Sequence, residues 1–213
     1  MSEVAVTLQI EVRPAVAELY FWALQASFTG ENGITGGAHL GLQWHPSYPG
    51  SGAVNWGGYG KDGSLLEGSD STLPSTLGNA NTRDYPWAPE RRYRLRIRAD
   101  EPGWWAGEVT DVAAGDTTVV RTLRADGDGL TLAMVWSEVF ARCDAPPVAA
   151  VWSEPAGVTI DGRPWRPQSF SITYQREEDG GCSNTDVRKL PGGVGQFTGI
   201  ARTTPPGSVI SIA

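Results

Sequence analysis

The feature that most constrains the fold is a two-residue hydrophobic alternation that recurs along the chain. Val4, Val6, Leu8, Ile10 and Val12 point one way, and Ala5, Thr7, Gln9 and Glu11 the other. That spacing belongs to strands, whose side chains alternate between two faces. Glu18 to Phe28 is apolar on both faces, as in a central covered strand. Further strands are predicted over Ala38–His45, 52–60, Arg91–Ala99, Trp104–Val112, Thr117–Ala125 and Leu130–Phe140. Val148–Glu154, Gln168–Gln175, Gly195–Arg202 and Ser208–Ile212 complete about a dozen. The connectors, such as Asp100-Glu101-Pro102-Gly103 and Asp126-Gly127-Asp128-Gly129, have turn chemistry. Gly30 to Gly37 reads as a glycine-rich turn, and 61–89 as a long irregular loop. No amphipathic helix of useful length occurs.

Short antiparallel strands in this number imply an all-β chain, and the expected architecture is a two-sheet β-sandwich of jelly-roll type, one domain over 1–213. With 213 residues, such a domain buries enough surface to fold without a metal or a disulfide. A net charge of −7 gives no basic face for nucleic acid. No apolar run approaches the ~18 residues that would span a membrane. The first residues lack a basic and then apolar leader, so the expectation is a cytoplasmic protein, or a secreted one if the chain is a trimmed mature domain. The cysteines, Cys143 and Cys182, are too few for a zinc site. Paired, they would close a loop of about 40 residues, adding about 4 kcal/mol on the chain-entropy model; unpaired, they are two thiols in a reducing compartment.

The stretch Pro86–Asp111 (PWAPERRYRLRIRADEPGWWAGEVTD) resembles the central hairpin of concanavalin-A-like lectin/glucanase sandwiches. Tyr20-Phe21-Trp22-Ala23-Leu24-Gln25, followed by His39-Leu40-Gly41-Leu42-Gln43, resembles an actinobacterial protein family with that sandwich; Ser71–Trp87 and Val135–Cys143 extend the likeness. The resemblance implies a fold and brings no activity with it.

Candidate functional residues follow from the alternation. Leu40, Leu42 and Trp44 face the core, leaving His39, Gly41, Gln43 and His45 on the other side, with Asn55, Gly57 and Tyr59 as a similar row. Polar groups beside an aromatic suit a sugar or polyol; the same row also fits an ordinary solvent-facing sheet. The two histidines, roughly 20 Å apart on one strand, are no metal pair. With Tyr93, Leu95 and Ile97 inward, Arg92, Arg94, Arg96 and Arg98 line the opposite face. They either bind an anion bidentately or pair with Glu108, which falls opposite Arg94 or Arg96 on the next strand.

Glu108 and Asp111 face opposite sides, and no Glu-x-Asp-x-x-Glu pattern supports glycoside hydrolysis. Glu138, beside Trp136 in a buried-looking strand, is the candidate for a carboxyl of raised pKa. Of nine tryptophans, Trp22, Trp44, Trp136 and Trp152 are expected in the core, with Trp104 on the non-core face. No motif calls for a cofactor or a metal.

The leading expectation is lectin-like binding of a glycan or polar small molecule on the concave face, through His39, Gln43, His45, Asn55 and Tyr59, with Arg94, Arg96 and Trp104 as further ligand contacts. The alternative is an enzyme acting on a small molecule in an aromatic-lined pocket by acid–base and shape catalysis, of cyclase, isomerase or lyase type rather than a glycoside hydrolase, with Glu138 and His39 as catalytic candidates. A deep pocket enclosing Glu138 or His39 would favour the enzyme, and a shallow open groove floored by Gln43, Asn55 and Tyr59 the lectin.

Overall fold

The alternating segments build strands that close two sheets over one apolar interior. The computed structural model describes residues 1–212. In chain order the strands are β1 (Glu3–Ile10), β2 (Tyr20–Gly30), β3 (Gly33–Trp44), β4 (Gly52–Gly60), β5 (Ser75–Thr76), β6 (Asn79–Asp84), β7 (Arg92–Ala99) and β8 (Trp104–Asp111). They continue with β9 (Thr117–Arg124), β10 (Gly129–Val139), β11 (Ala149–Val158), β12 (Pro164–Trp165), β13 (Ser169–Ser171), β14 (Thr185–Leu190), β15 (Gly193–Thr198) and β16 (Val209–Ser211). No helix among the described residues is long and apolar enough to cross a membrane.

The larger sheet runs β14-β15-β11-β1-β7-β8-β9, with β12 attached to β11. The smaller runs β10-β2-β3-β4-β6-β5, and β13 pairs with β16 apart from both. All strand pairs are antiparallel. The chain is therefore a two-sheet antiparallel β-sandwich, as its alternation requires.

Between the sheets, Val4, Val6, Leu8 and Ile10 of β1 meet Tyr20, Trp22, Leu24 and Phe28 of β2 and Leu40, Leu42 and Trp44 of β3, all buried. Trp56, Trp105 and Trp152 fill the same layer. Burying a side chain of this kind contributes about 1.5–3 kcal/mol each, which is why the pattern dictates the fold.

Three departures from the sequence reading have physical causes. The glycine-rich Gly30–Gly37 is strand rather than turn: β2 and β3 meet through two residues, and Gly36 lies so close to β4 that a Cβ would stand 2.5 Å from the Tyr59 carbonyl oxygen. The 61–89 excursion carries β5 and β6 and is tied to the β9 edge, where Ser69 donates to the Thr122 carbonyl at 2.9 Å and Arg124 to that of Glu67 at 2.8 Å. It closes one side of the sandwich. Thr185–Leu190, left out of the sequence reading, forms the edge strand β14.

Candidate functional site

The outer face of the smaller sheet gathers most of the candidate residues, and the strand register sets them in cross-sheet rows. One row runs Glu138, Phe21, Gln43, Ala53; the next Trp136, Ala23, Gly41, Asn55, Thr82; the third Met134, Gln25, His39, Gly57. Ala23, Gly41, Ala53 and Gly57 keep the floor low. Phe21 leans over Gly41, where a Cβ would come within 2.8 Å of its ring. This is a close approach only glycine permits.

Trp136 belongs to this face and not to the core. Leu130 faces inward opposite Phe28, but the register shifts between Thr131 and Met134, where Leu132 takes φ 47°. After that bulge Val135, Ser137 and Val139 oppose the core residues Leu24, Trp22 and Tyr20, and Trp136 and Glu138 turn outward. A one-residue slip moves every later side chain to the other face. The Trp136 ring stands 4.9 Å from Phe21 and 5.8 Å from His39, with Phe21 5.5 Å from His39, all edge-to-face. Its indole N–H donates to Gln25 Oε1 at 3.0 Å.

Glu138 is exposed at one end of this aromatic cluster and makes no salt bridge among the described residues. Partial desolvation raises its carboxyl pKa above the ordinary value. Desolvation lowers the pKa of His39, against the opposing influence of the nearby Asn55 amide. Burial thus disfavours the imidazolium form. Asn55 is buried, donates to Thr82 Oγ1 at 2.8 Å, and its Oδ1 has no geometrically sound donor among the described residues.

Gln43 is 5% exposed. Its Oε1 accepts a bond from the Tyr48 hydroxyl at 3.1 Å, and its backbone carbonyl one from the Trp87 indole at 2.8 Å. Burial raises the Tyr48 pKa, so the phenol remains a neutral donor. With Oε1 taken, the Gln43 amide directs its two N–H donors away from Tyr48.

The remaining candidates sit outside this cluster. His45 lies past the end of β3, accepts from Ser47 N at 3.1 Å and packs against Tyr48 at 5.6 Å. Tyr59 shares the face of Asn55 and Gly57 but stands at the far end of β4, 52% exposed. Arg94, Arg96 and Trp104 are on the outer face of the larger sheet, across the molecule. There Arg94 donates to the Glu154 carbonyl at 2.6 Å, and Arg96 pairs with the buried Glu108 directly opposite it. Arg98 takes the other Glu108 oxygen at 2.7 Å, and Arg92 pairs with Glu154 at 2.8 Å. The structure thus brings His39, Gln43, Asn55 and Glu138 onto one face and separates them from the arginine row. Phe21, Gln25, Tyr48 and Thr82 complete that face. Gln25 was within reach of the sequence, since it alternates with Trp22 and Leu24, whereas Tyr48 enters through a turn with no periodic signal. The described residues hold no cluster of three or more His, Cys, Asp or Glu that could bind a metal ion.

No protein-family profile and no curated protein matches the chain. Among solved structures, scytalido-glutamic peptidase with a transition state analog inhibitor is similar over 92% of this chain and 91% of that one, at 8% identity and a TM-score of 0.42. The same peptidase with a peptide based transition state analog gives 10% identity and 0.43 over the same shares of the two chains. SCP-B, a member of the Eqolisin family, in a complex with the tripeptide Ala-Ile-His, gives 9% identity and 0.37, covering 92% and 90%. At these scores the likenesses carry nothing about chemistry. The concanavalin-A-like resemblance is supported only as far as a β-sandwich.

Proposed function

We propose that this chain is an enzyme that uses acid–base chemistry to hydrolyse an amide or ester bond of a small molecule or peptide held on the outer face of the smaller sheet. The observation that carries the reading is the row Glu138–Phe21–Gln43. A solvent-reached carboxyl of raised pKa lies two strands, roughly 10 Å between backbones, from an amide whose oxygen is already engaged. Phe21 stands between them in the row, its ring leaning toward Gly41.

Glu138 as carboxylate takes a proton from water while the water oxygen bonds to the carbonyl carbon. The carbonyl electron pair moves onto its oxygen, which the Gln43 N–H stabilises. On collapse the bond to the leaving nitrogen or oxygen breaks, and Glu138 returns the proton to it. Trp136, Phe21 and His39 supply an apolar wall for the substrate. His39 acts here by packing.

The glycan reading draws less support, because it needs an open polar groove. Asn55 is buried and bonded to Thr82, and Tyr48 engages the Gln43 amide oxygen, so few free polar groups line the face. The disulfide between Cys143 and Cys182 favours an oxidising compartment, and so the secreted alternative over the cytoplasmic one.

The test is turnover of a mixed peptide library and a panel of simple amides and esters between pH 3 and 8, read by mass spectrometry. Glu138→Gln and Gln43→Ala should each lower turnover about 100-fold or more with the fold unchanged by circular dichroism. Undiminished turnover in both variants, or saturable binding of glycans with no hydrolysis, would overturn the reading.

A further inference from the structure

The sandwich is closed on the side of β9 and the 61–89 segment, but its other side holds a cavity of about 810 Å³. This lies between β10, the edge of the smaller sheet, and the β14–β15 end of the larger. The β13–β16 ribbon flanks it, with Phe170 and Ile210 packed against the core. Small-molecule sites fall in the range of about 300–1,000 Å³. The walls are mainly apolar: Trp22, Val148, Ile172 and Val194 among them. The rim is held in place by the Cys143–Cys182 disulfide and by Arg202, which stacks on Tyr174 at 3.9 Å and donates to the Cys182 carbonyl at 2.8 Å. The space is built into the fold.

Two polar groups in this wall have unused capacity. Tyr20 is 1% exposed, and its buried hydroxyl has no hydrogen-bond partner among the described residues. Leaving a buried hydroxyl unpaired costs about 1–3 kcal/mol, so a donor in that state beside a cavity points to an absent acceptor. Gln196 accepts from Trp152 Nε1 at 2.7 Å and from the Ser137 hydroxyl through the same Oε1; no acceptor for its Nε2 occurs among the described residues. The Gln196 nitrogen is a donor only, and the Tyr20 hydroxyl can donate as well as accept. The wall also carries Asp186, whose oxygens are already engaged by Thr203, Thr204 and Arg188, and a carboxylate ligand would have to be desolvated against the apolar wall.

We infer that this cavity is a binding site for a neutral, largely apolar molecule carrying a carbonyl oxygen, such as a long-chain or polycyclic ketone or ester, with Tyr20 as its hydrogen-bond donor. The cavity reaches round the β10 edge, where Trp136 and Glu138 also line it; the inference concerns its inter-sheet part, against Tyr20 and Gln196, and does not rest on the hydrolytic reading of the outer face.

The test is titration of the intact, oxidised protein with 2-dodecanone, dodecane and dodecanoate, followed by tryptophan fluorescence, since Trp22 lines the cavity. The ketone is expected to saturate the signal and to bind more tightly than dodecanoate. Tyr20→Phe should weaken the ketone about 2- to 12-fold, one hydrogen bond's worth, leave dodecane unchanged, and not lower the melting temperature of the free protein. Ile172→Trp should fill the space and abolish the response. Absence of saturation by the ketone, or equal ketone affinity in Tyr20→Phe, overturns the assignment.

Discussion

The Tyr48 hydroxyl donates to Gln43 Oε1 at 3.1 Å, from a turn five residues beyond the strand position it controls. The bond settles which end of the amide faces substrate, because the amide carries an acceptor oxygen at one end and two N–H donors at the other. Tyr48→Phe should therefore lower kcat about 2- to 12-fold and leave KM unchanged. Tyr48 is a positioning residue, so the same substitution made on a Gln43→Ala background should have no further effect on kcat. Additive losses in that double-mutant cycle would remove Tyr48 from the argument.

Glu138 ties activity and stability to pH in opposite senses. Its folded pKa is raised by desolvation, so the folded chain holds the proton to higher pH than the unfolded chain does. Its contribution to stability thus falls as pH rises from the ordinary glutamate value through the folded pKa. Activity needs the carboxylate, and kcat/KM should rise across the same window. At pH 7 Glu138→Gln should abolish turnover without lowering the melting temperature. Rate profiles flat from pH 4 to 7, or a variant markedly less stable than the parent, would contradict this assignment.

The core was legible because its signal is local. Val4 to Ile10, Leu40 to Trp44 and Tyr93 to Ile97 each show their inward face within one strand, and the alternation places Glu108 opposite Arg94 or Arg96, of which the structure forms the Arg96 pair. What was not legible depends on a partner strand. Counting by twos from Leu130 puts Trp136 and Glu138 on the inward face, and only the register against β2 exposes the bulge at Leu132 that turns them outward. The strands β5, β6 and β14 are short or polar, and contacts far away in sequence hold them. Asn55 and Gln43 read as open groove residues because alternation gives the face, not what covers it.

Asp186 shows how much a distant partner can contribute. Its side chain is fully buried and accepts bonds from the N–H groups of Val187 and Thr204, each at 3.0 Å, and from Thr203 Oγ1 at 2.7 Å. Burial alone would raise its pKa, yet these bonds and Arg188 hold it well below the usual carboxylate range. Arg188 is half exposed and acts less strongly than the Thr203 hydroxyl and the Thr204 N–H. A depressed folded pKa means stability present above the unfolded value of about 3.9 and lost as pH falls through the folded one. Asp186→Asn should cost about 2–4 kcal/mol at pH 7. The gap from the parent should narrow steadily below about pH 4. Urea unfolding at pH 7 and pH 3 measures both, and a gap of equal size at the two values would rule out the carboxylate as its source.

The Cys143–Cys182 bond joins positions 39 apart in sequence, with Cα atoms 5.6 Å apart, at the rim of the inter-sheet cavity. Much of its effect falls on the unfolded chain, whose freedom the cross-link removes, so reduction should lower unfolding free energy by about 2–4 kcal/mol. The rim loses a covalent tie at the same time: the segment after β10 and the loop before β14 are then held together by the Asn184 bond to the Cys143 carbonyl at 2.7 Å and by packing. Ketone affinity should therefore fall on reduction, while the outer face beyond β2, buttressed by β3 and β4, should keep its fluorescence and near-ultraviolet dichroism. Thermal unfolding and 2-dodecanone titration of one preparation, with and without reductant, separate the two effects. Lower stability with unchanged affinity would mean that the rim is shaped by packing alone.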